Sequence, residues 1–314
     1  MKDLEFFYIY GPVLSRRLGF SLGIDLFASL GKTCNFNCIY CQLGRTVKKT
    51  NKRFYCIDLD RLKRELKEAI ERTPNIDYIS LSGSGEPTLH KDLDRIVSEI
   101  KKTTDYKYPV CLITNSSLLY RKDIIKELKD IDLIIPSLDS AREKTFKKIN
   151  RANISLKKII KGLINLRKEF KKKIWLEIMV IGGLNDTKEE IEELKKIIEK
   201  IKPDKIHINL PIRPTPTKIK FPKKTSLSLF KKILGKNVEV VSFLDKRLKS
   251  GYSESIKEVI VNYLKRRPAT LDDFEKVFDI NKKIISENLK SLVKEKKIIS
   301  KIYNKRRYFV IKND

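Results

Sequence analysis

No apolar run in this chain approaches the roughly 18–20 residues that a membrane-crossing helix needs, so a membrane protein is not expected. The first residues, MKDLEFFYIYGP, carry acids early and show no small-residue cleavage site. No secretory signal is therefore expected, and the cytoplasm is the expected compartment. Acidic residues are few beside basic ones, 40 against 69, which leaves a net charge of +29. That excess permits a polyanionic partner without marking where one would bind. Residues 251–314 carry a net +7 and the other 250 residues a net +22, so the charge is evenly spread. Abundant Lys, Ile and Glu also fit the bias of hyperthermophile proteins. Cysteine is scarce: five residues, an odd number, three of them within eight positions. Such crowding is poor geometry for a disulfide framework and good geometry for a metal. Cys111 lies in the apolar run PVCLIT and is expected in the core, while Cys56 has no evident partner.

Hydrophobic residues make up 41% of the 314, enough for one main domain of about 200–250 residues plus a small one. Apolar runs at 21–28, 76–83, 108–115, 132–138, 173–183 and 204–210 alternate with helical patterns at 59–73, 92–103, 122–130, 155–170 and 187–201. Apolar residues in the latter recur at spacings of three and four, as amphipathic helices require. This alternation predicts βα units on a parallel sheet, in the class α/β: a partial (β/α)6 TIM-like barrel with functional groups at the C-terminal strand ends. Residues 211–250 interrupt the rhythm with PIRPTPTKIKFPKK, then a helix near 226–235 and a strand near 237–242. The first domain is expected to span 1–245. A second module, 251–314, reads as helices at 253–266, 270–278 and 282–296, then two strands about the turn Asn304–Lys305. Three helices and a hairpin form the layout of a winged helix-turn-helix, which serves nucleic-acid reading and protein docking alike.

The chemistry centres on Cys34-Asn-Phe-Asn-Cys38-Ile-Tyr-Cys41, directly after the first of these strands. Thiolates are soft ligands that suit iron–sulfur clusters. Three of them leave one iron of a four-iron cluster open to a small molecule. Zinc in a structural site usually takes a fourth protein ligand, and no further Cys or His is nearby.

This spacing resembles the defining motif of the radical S-adenosylmethionine superfamily, and the likeness extends over nearly all of residues 8–215. The resemblance implies a [4Fe–4S] cluster on Cys34, Cys38 and Cys41, bound S-adenosylmethionine, and a radical enzyme fed by an electron donor such as ferredoxin or flavodoxin. Tyr40 fills the place of an aromatic that lies near the adenine. Ser82-Gly83-Ser84-Gly85-Glu86-Pro87-Thr88 is similar to the family's Gly-Gly-Glu segment, which implies that Gly85 and Glu86 bind the cofactor's amino group; Ser84 departs from a common Gly. Asn115, Ser137, Asp139, Arg151 and Glu177 fall where the family contacts the cofactor's ribose and carboxylate. For Asn115 and Asp139 ordinary helix capping is the alternative. Glu177 sits in the apolar run IWLEIMV and needs a partner.

Gly11 to Gly19, the segment Cys41 to Thr46 and Arg213-Pro214 resemble a prokaryotic branch loosely related to the archaeal enzyme that builds the wyosine base on tRNA. That enzyme carries further N-terminal cysteines, and here none precedes Cys34, so wyosine synthesis is not assigned. Arg16, Arg17, Arg45 and Arg213 are candidates for recognising a phosphate or carboxylate, with surface salt bridging as the alternative. Lys305, Arg306 and Arg307 are candidate polyanion contacts on the hairpin. Tyr303 and Tyr308 flank its turn, to stack on bases or pack beneath it. RNA or tRNA modification therefore competes with action on a small metabolite or protein. An iron–sulfur redox-sensing regulator is a third reading.

Overall fold

A computed structural model describes residues 6–73, 75–241, 256–278 and 281–312. The chain opens with β1 (Ile9–Ser15), β2 (Gly19–Ile24) and the two-residue strands β3 (Thr33–Cys34) and β4 (Lys48–Lys49). Then follow α1 (Leu59–Arg72), β5 (Tyr78–Leu81), α2 (Leu93–Thr103), β6 (Val110–Thr114), α3 (Lys122–Glu127) and β7 (Leu133–Pro136). The barrel ends with α4 (Glu143–Asn150), α5 (Leu156–Glu169), β8 (Lys173–Met179), α6 (Lys188–Ile201), β9 (Lys205–Asn209), α7 (Lys224–Leu234) and β10 (Val238–Val240). Eight of these strands form one sheet in the order β1-β2-β5-β6-β7-β8-β9-β10, and β3 and β4 pair separately. Every neighbouring pair from β2 to β10 is parallel, and β1 runs antiparallel on β2. All six residues of β2 and all four of β7 are buried, as expected of strands covered on both faces.

The partial barrel is as the alternation of runs predicts, with one addition. Strand β1 was expected only as a sequence motif. Pro12 reads as a breaker, but β1 lies at the sheet's edge and its register shifts between Tyr10 and Val13, where proline is tolerated. The edges β1 and β10 do not pair with each other. A side chain spans the gap: Arg16, just past β1, donates to Asn209 Oδ1 (2.7 Å) and to Val241 O (3.3 Å).

The C-terminal residues form α8 (Ile256–Arg266), α9 (Leu271–Phe278), α10 (Lys282–Lys294) and an antiparallel hairpin of β11 (Ile298–Tyr303) and β12 (Arg306–Ile311). Asn304 and Lys305 have φ of 49° and 62°, the left-handed pair that a tight hairpin turn demands. The start of the expected helix at 253 and the expected domain boundary between 245 and 251 lie outside the described residues. This unit is not free-standing. Tyr10 and Val13 of β1 share a buried apolar cluster with Ile260, Tyr263, Phe274, Ile285 and Leu289. Tyr303 of the hairpin donates to Pro211 O at 3.0 Å, and Tyr308 is buried. Tyr308 therefore packs beneath the hairpin, and Tyr303 is tied to the barrel through its hydroxyl.

Candidate active site

The cysteine segment is a loop between β2 and α1, strapped on two sides. Thr33 N donates to Ser84 O (2.8 Å) and Glu86 N to Thr33 O (3.1 Å), which ties the loop to the end of β5. Asn37 N donates to Asn150 O (3.0 Å) and Ile39 N to Ile149 O (2.9 Å), which ties it to the end of α4. Short internal bonds, such as Thr46 Oγ1 to Phe36 O at 2.6 Å, hold its curvature. The local sequence can form these turns because Gly44 takes a positive φ of 84°.

All three thiols are partly exposed. Asn115 Nδ2 and Phe36 N donate toward Cys34 Sγ at 3.5 and 3.4 Å, and Asn150 Nδ2 toward Cys38 Sγ at 3.5 Å. Burial pushes the Cys34 thiol up to about 12 and raises Cys38 as well. Thiolates there need a cation to stabilise them, and the amide donors are of the kind that tune cluster sulfurs. Among the described residues no three His, Cys, Asp or Glu side chains converge on a single metal ion. A four-iron cube takes each thiolate at a separate iron, and three cysteines in one loop fit it.

Beside this loop lies a cavity of about 310 Å³. Tyr40, Cys41, Ser82, Gly83 and Gly85 line one part of it, and Arg16, Arg17, Arg213, Arg266 and Arg267 another. Glu177 also lines it, paired with Arg17. That pairing supplies the partner that an acid in the apolar strand β8 requires.

Several expected contacts sit differently. Glu86 is 2% exposed and is absent from the described cavity lining. Its carboxylate accepts from Thr88 N (3.1 Å), Thr88 Oγ1 (2.6 Å), Thr114 Oγ1 (2.6 Å) and Asn115 N (2.7 Å). It clamps the ends of β5 and β6. Gly85 is required by a backbone neighbour, since a Cβ there would stand 1.8 Å from Thr33 O. Asp139 is buried and is likewise absent from the lining. It accepts from Tyr40 OH and Asn150 Nδ2, both at 2.6 Å, and from Met179 N at 2.9 Å. Burial pushes its carboxyl up to about 6. Asp139 therefore positions Tyr40 and β8.

Arg151 is exposed and caps α4 in the left-handed conformation, φ 48°, which turns it away from the cavity lining. The residue before it, Asn150, reaches the cysteine loop in its place. Ser137 bridges Glu177 through the backbone at the ends of β7 and β8, and its carbonyl accepts from Ser116 Oγ at 2.8 Å. Asn115 bonds Asn35 Oδ1 at 2.8 Å as well as Cys34, and its Oδ1 accepts from Ser117 N in the turn after β6. Arg45 is exposed and away from the described lining, as are Lys305, Arg306 and Arg307. Cys111 is fully buried in an apolar cluster, as expected, and Cys56 donates its thiol to Leu26 O at 2.9 Å.

Sequence reasoning missed Arg266 and Arg267, and no local signal marks them. Arg266 reaches Asp25 Oδ2 (3.4 Å) and Phe7 O (2.7 Å) from the far end of the chain. Ser84, the departure from the family's glycine, donates Oγ to the same Asp25 oxygen at 2.6 Å.

The comparisons agree with this architecture. The UPF0026 protein MJ1312 of Methanocaldococcus jannaschii is 32% identical over 96% of this chain and 95% of its own length. A protein named GTPase Obg from Brachyspira hyodysenteriae is 41% identical over 94% of this chain, which spans only 44% of that relative. A solved radical SAM methyltransferase from Sphaerobacter thermophilus shares the fold, with a TM-score of 0.52 at 17% identity, covering 70% of this chain and 65% of that one. Residues 29–201 match the radical SAM superfamily. The chain belongs to that superfamily and is an enzyme that works with a [4Fe–4S] cluster and S-adenosylmethionine.

Proposed function

We propose that Cys34, Cys38 and Cys41 ligate the cluster and that the adjoining cavity receives S-adenosylmethionine together with a small substrate. One observation carries this reading: a thiol-bearing loop with amide donors on its sulfurs forms a wall of a cavity that also presents Glu177, Asn209 and several arginines among apolar side chains. Held by Cys34, Cys38 and Cys41, the cluster with bound S-adenosylmethionine would supply one-electron radical chemistry able to take hydrogen from an unreactive C–H bond. The chain's own residues orient and enclose. Asn115 and Asn150 hold the sulfurs' hydrogen bonds, and Tyr40, fixed by Asp139, offers its ring to the cavity. The C-terminal unit, in winged-helix layout, packs on β1 and helps keep water from the mouth. Electrons come from outside, from a one-electron carrier such as ferredoxin or flavodoxin.

A small substrate is favoured over RNA or DNA because Tyr303 and Tyr308 are engaged and the exposed Lys305, Arg306 and Arg307 lie away from the described cavity lining. The test is anaerobic reconstitution. About four irons per chain are expected, with 5′-deoxyadenosine released from S-adenosylmethionine under dithionite and both lost when the three cysteines become Ala. A colourless protein with one zinc would overturn the reading. tRNA affinity near physiological salt that depends on Lys305, Arg306 and Arg307 would restore the nucleic-acid alternative.

A further inference from the structure

Resting on the reading that the substrate occupies this cavity, we propose that the cavity holds a phosphate site: Arg213, Arg267 and Arg16 receive the phosphate monoester of a small molecule, and the C-terminal unit completes the site. Arg213 follows β9, is 6% exposed, and its Nε and Nη1 have no hydrogen-bond partner among the described residues. Arg267 brings a third such donor, its Nε, from just beyond α8. Both residues line the cavity. Buried donors nearly always have partners, so the unmet Nε and Nη1 of Arg213, with the unmet Nε of Arg267, mark a place for an absent anion. Guanidinium N–H groups are suited to the oxygens of a phosphate or carboxylate.

The charge balance chooses between these two anions. Of the five described guanidinium groups on the cavity, Arg17 pairs with Glu177 and Arg266 with Asp25. Arg213 has Asp273 at 3.9 Å, and the other oxygen of that carboxylate is taken by Thr270 N. Arg16 donates only to neutral oxygens, those of Asn209 and Val241. Five cations against three carboxylates leave two positive charges. A phosphate monoester carries about −1.5 to −2 at neutral pH and three acceptor oxygens, whereas a carboxylate would leave one cation unmet. Burial, with Arg213 and Arg17 nearby, pushes the Arg16 guanidinium down to about 9, still charged at neutral pH. A free small molecule fits better than a polynucleotide, because the space is about 310 Å³ and Tyr303 bonds to Pro211, one of the residues lining it.

The test uses the full-length, cluster-reconstituted protein and calorimetric titration with inorganic phosphate, adenosine 5′-monophosphate and adenosine, without reductant. Binding of phosphate and the monophosphate but not adenosine is expected. Arg267→Gln, at a half-buried position, should weaken it roughly ten- to a hundredfold, and Arg213→Gln likewise. The triple change of Lys305, Arg306 and Arg307 to Ala should leave it unchanged. Arg213→Met separates site from scaffold: with phosphate-free buffer its melting temperature should equal or exceed wild type, because two unmet buried N–H donors and a charge held only by the distant Asp273 are removed. Wild-type protein that ignores phosphate, or Arg267→Gln at full affinity, would overturn the proposal. So would a several-degree fall in melting temperature for Arg213→Met. An oligonucleotide that binds through Arg213 far more tightly than the monophosphate would move the site to RNA and overturn the small-molecule assignment. Phosphate binding is read without S-adenosylmethionine cleavage, so failure of the radical chemistry and failure of this site are distinguishable.

Discussion

Replacing Glu86 by Ala separates a clamp from a ligand. The side chain is 2% exposed and accepts four hydrogen bonds, from Thr88 N, Thr88 Oγ1, Thr114 Oγ1 and Asn115 N. The two hydroxyls can rotate toward other acceptors. The two backbone N–H groups cannot. Thr88 is fully buried, so its amide loses its partner with no water to replace it, at about 1–3 kcal/mol. Asn115 is half-buried and recovers part of its loss through water. Adding the space left by the side chain, the total is roughly 3–4 kcal/mol, a large share of the ~5–15 kcal/mol that stabilises a typical protein. Glu86→Gln should cost less, since the amide oxygen can still face Thr88, although its NH₂ then opposes the amide of Asn115. The assay is urea unfolding of the anaerobically reconstituted proteins by circular dichroism, with S-adenosylmethionine affinity measured alongside. A midpoint that falls in the order wild type, Gln, Ala is expected. An Ala variant that unfolds at the wild-type midpoint but loses cofactor affinity would refute the clamp and restore Glu86 as the partner of the cofactor's ammonium.

Three further outcomes follow from the site's hydrogen bonds. Burial raises the Asp139 carboxyl to about 6 from an ordinary value near 3.8, so between these values the folded state binds the extra proton. Stability contributed by this group is therefore full below about 4 and lost as pH rises to about 6, by on the order of 3 kcal/mol; unfolding midpoints that are flat across that window, or an equal slope in Asp139→Asn, would contradict it. Asn150→Ala removes the amide donor to Cys38 Sγ and should shift the cluster's reduction potential downward in an electron-paramagnetic titration, because a thiolate without its hydrogen bond favours the oxidised cluster; an unchanged potential would show that the contact does not tune it. Ser84→Gly frees the Asp25 oxygen that also faces Arg266, at about 1 kcal/mol and about 2–4 °C in melting temperature, and a variant that melts with wild type would mean that Arg266 and the backbone donors Phe27 N and Ser84 N fix Asp25 without the hydroxyl.

The sequence by itself determined the features that short-range rules govern. The three cysteines lie within eight residues of one loop, so their spacing alone announces shared ligation. Helices such as α1, α5 and α6 follow from spacings of three and four, and the parallel strands from short apolar runs between them. The hairpin turn at Asn304–Lys305 was equally local. Strand β1 escaped because Pro12 reads as a break unless its place at a sheet edge is known. Only the tertiary structure decided which polar groups meet. Arg151 and Asn150 are neighbours in sequence, yet the left-handed end of α4 sends one to solvent and leaves the other on Cys38. Glu86 looked like an open acid until the fold surrounded it with four donors. Arg266 joins Asp25 across 241 positions, and no window along the chain contains both. Periodicity and motif spacing record what neighbours on one segment can do. Burial and charge pairing depend on which distant segments the packing of β1 against α8 and α9 brings together, and that is settled by the whole core at once.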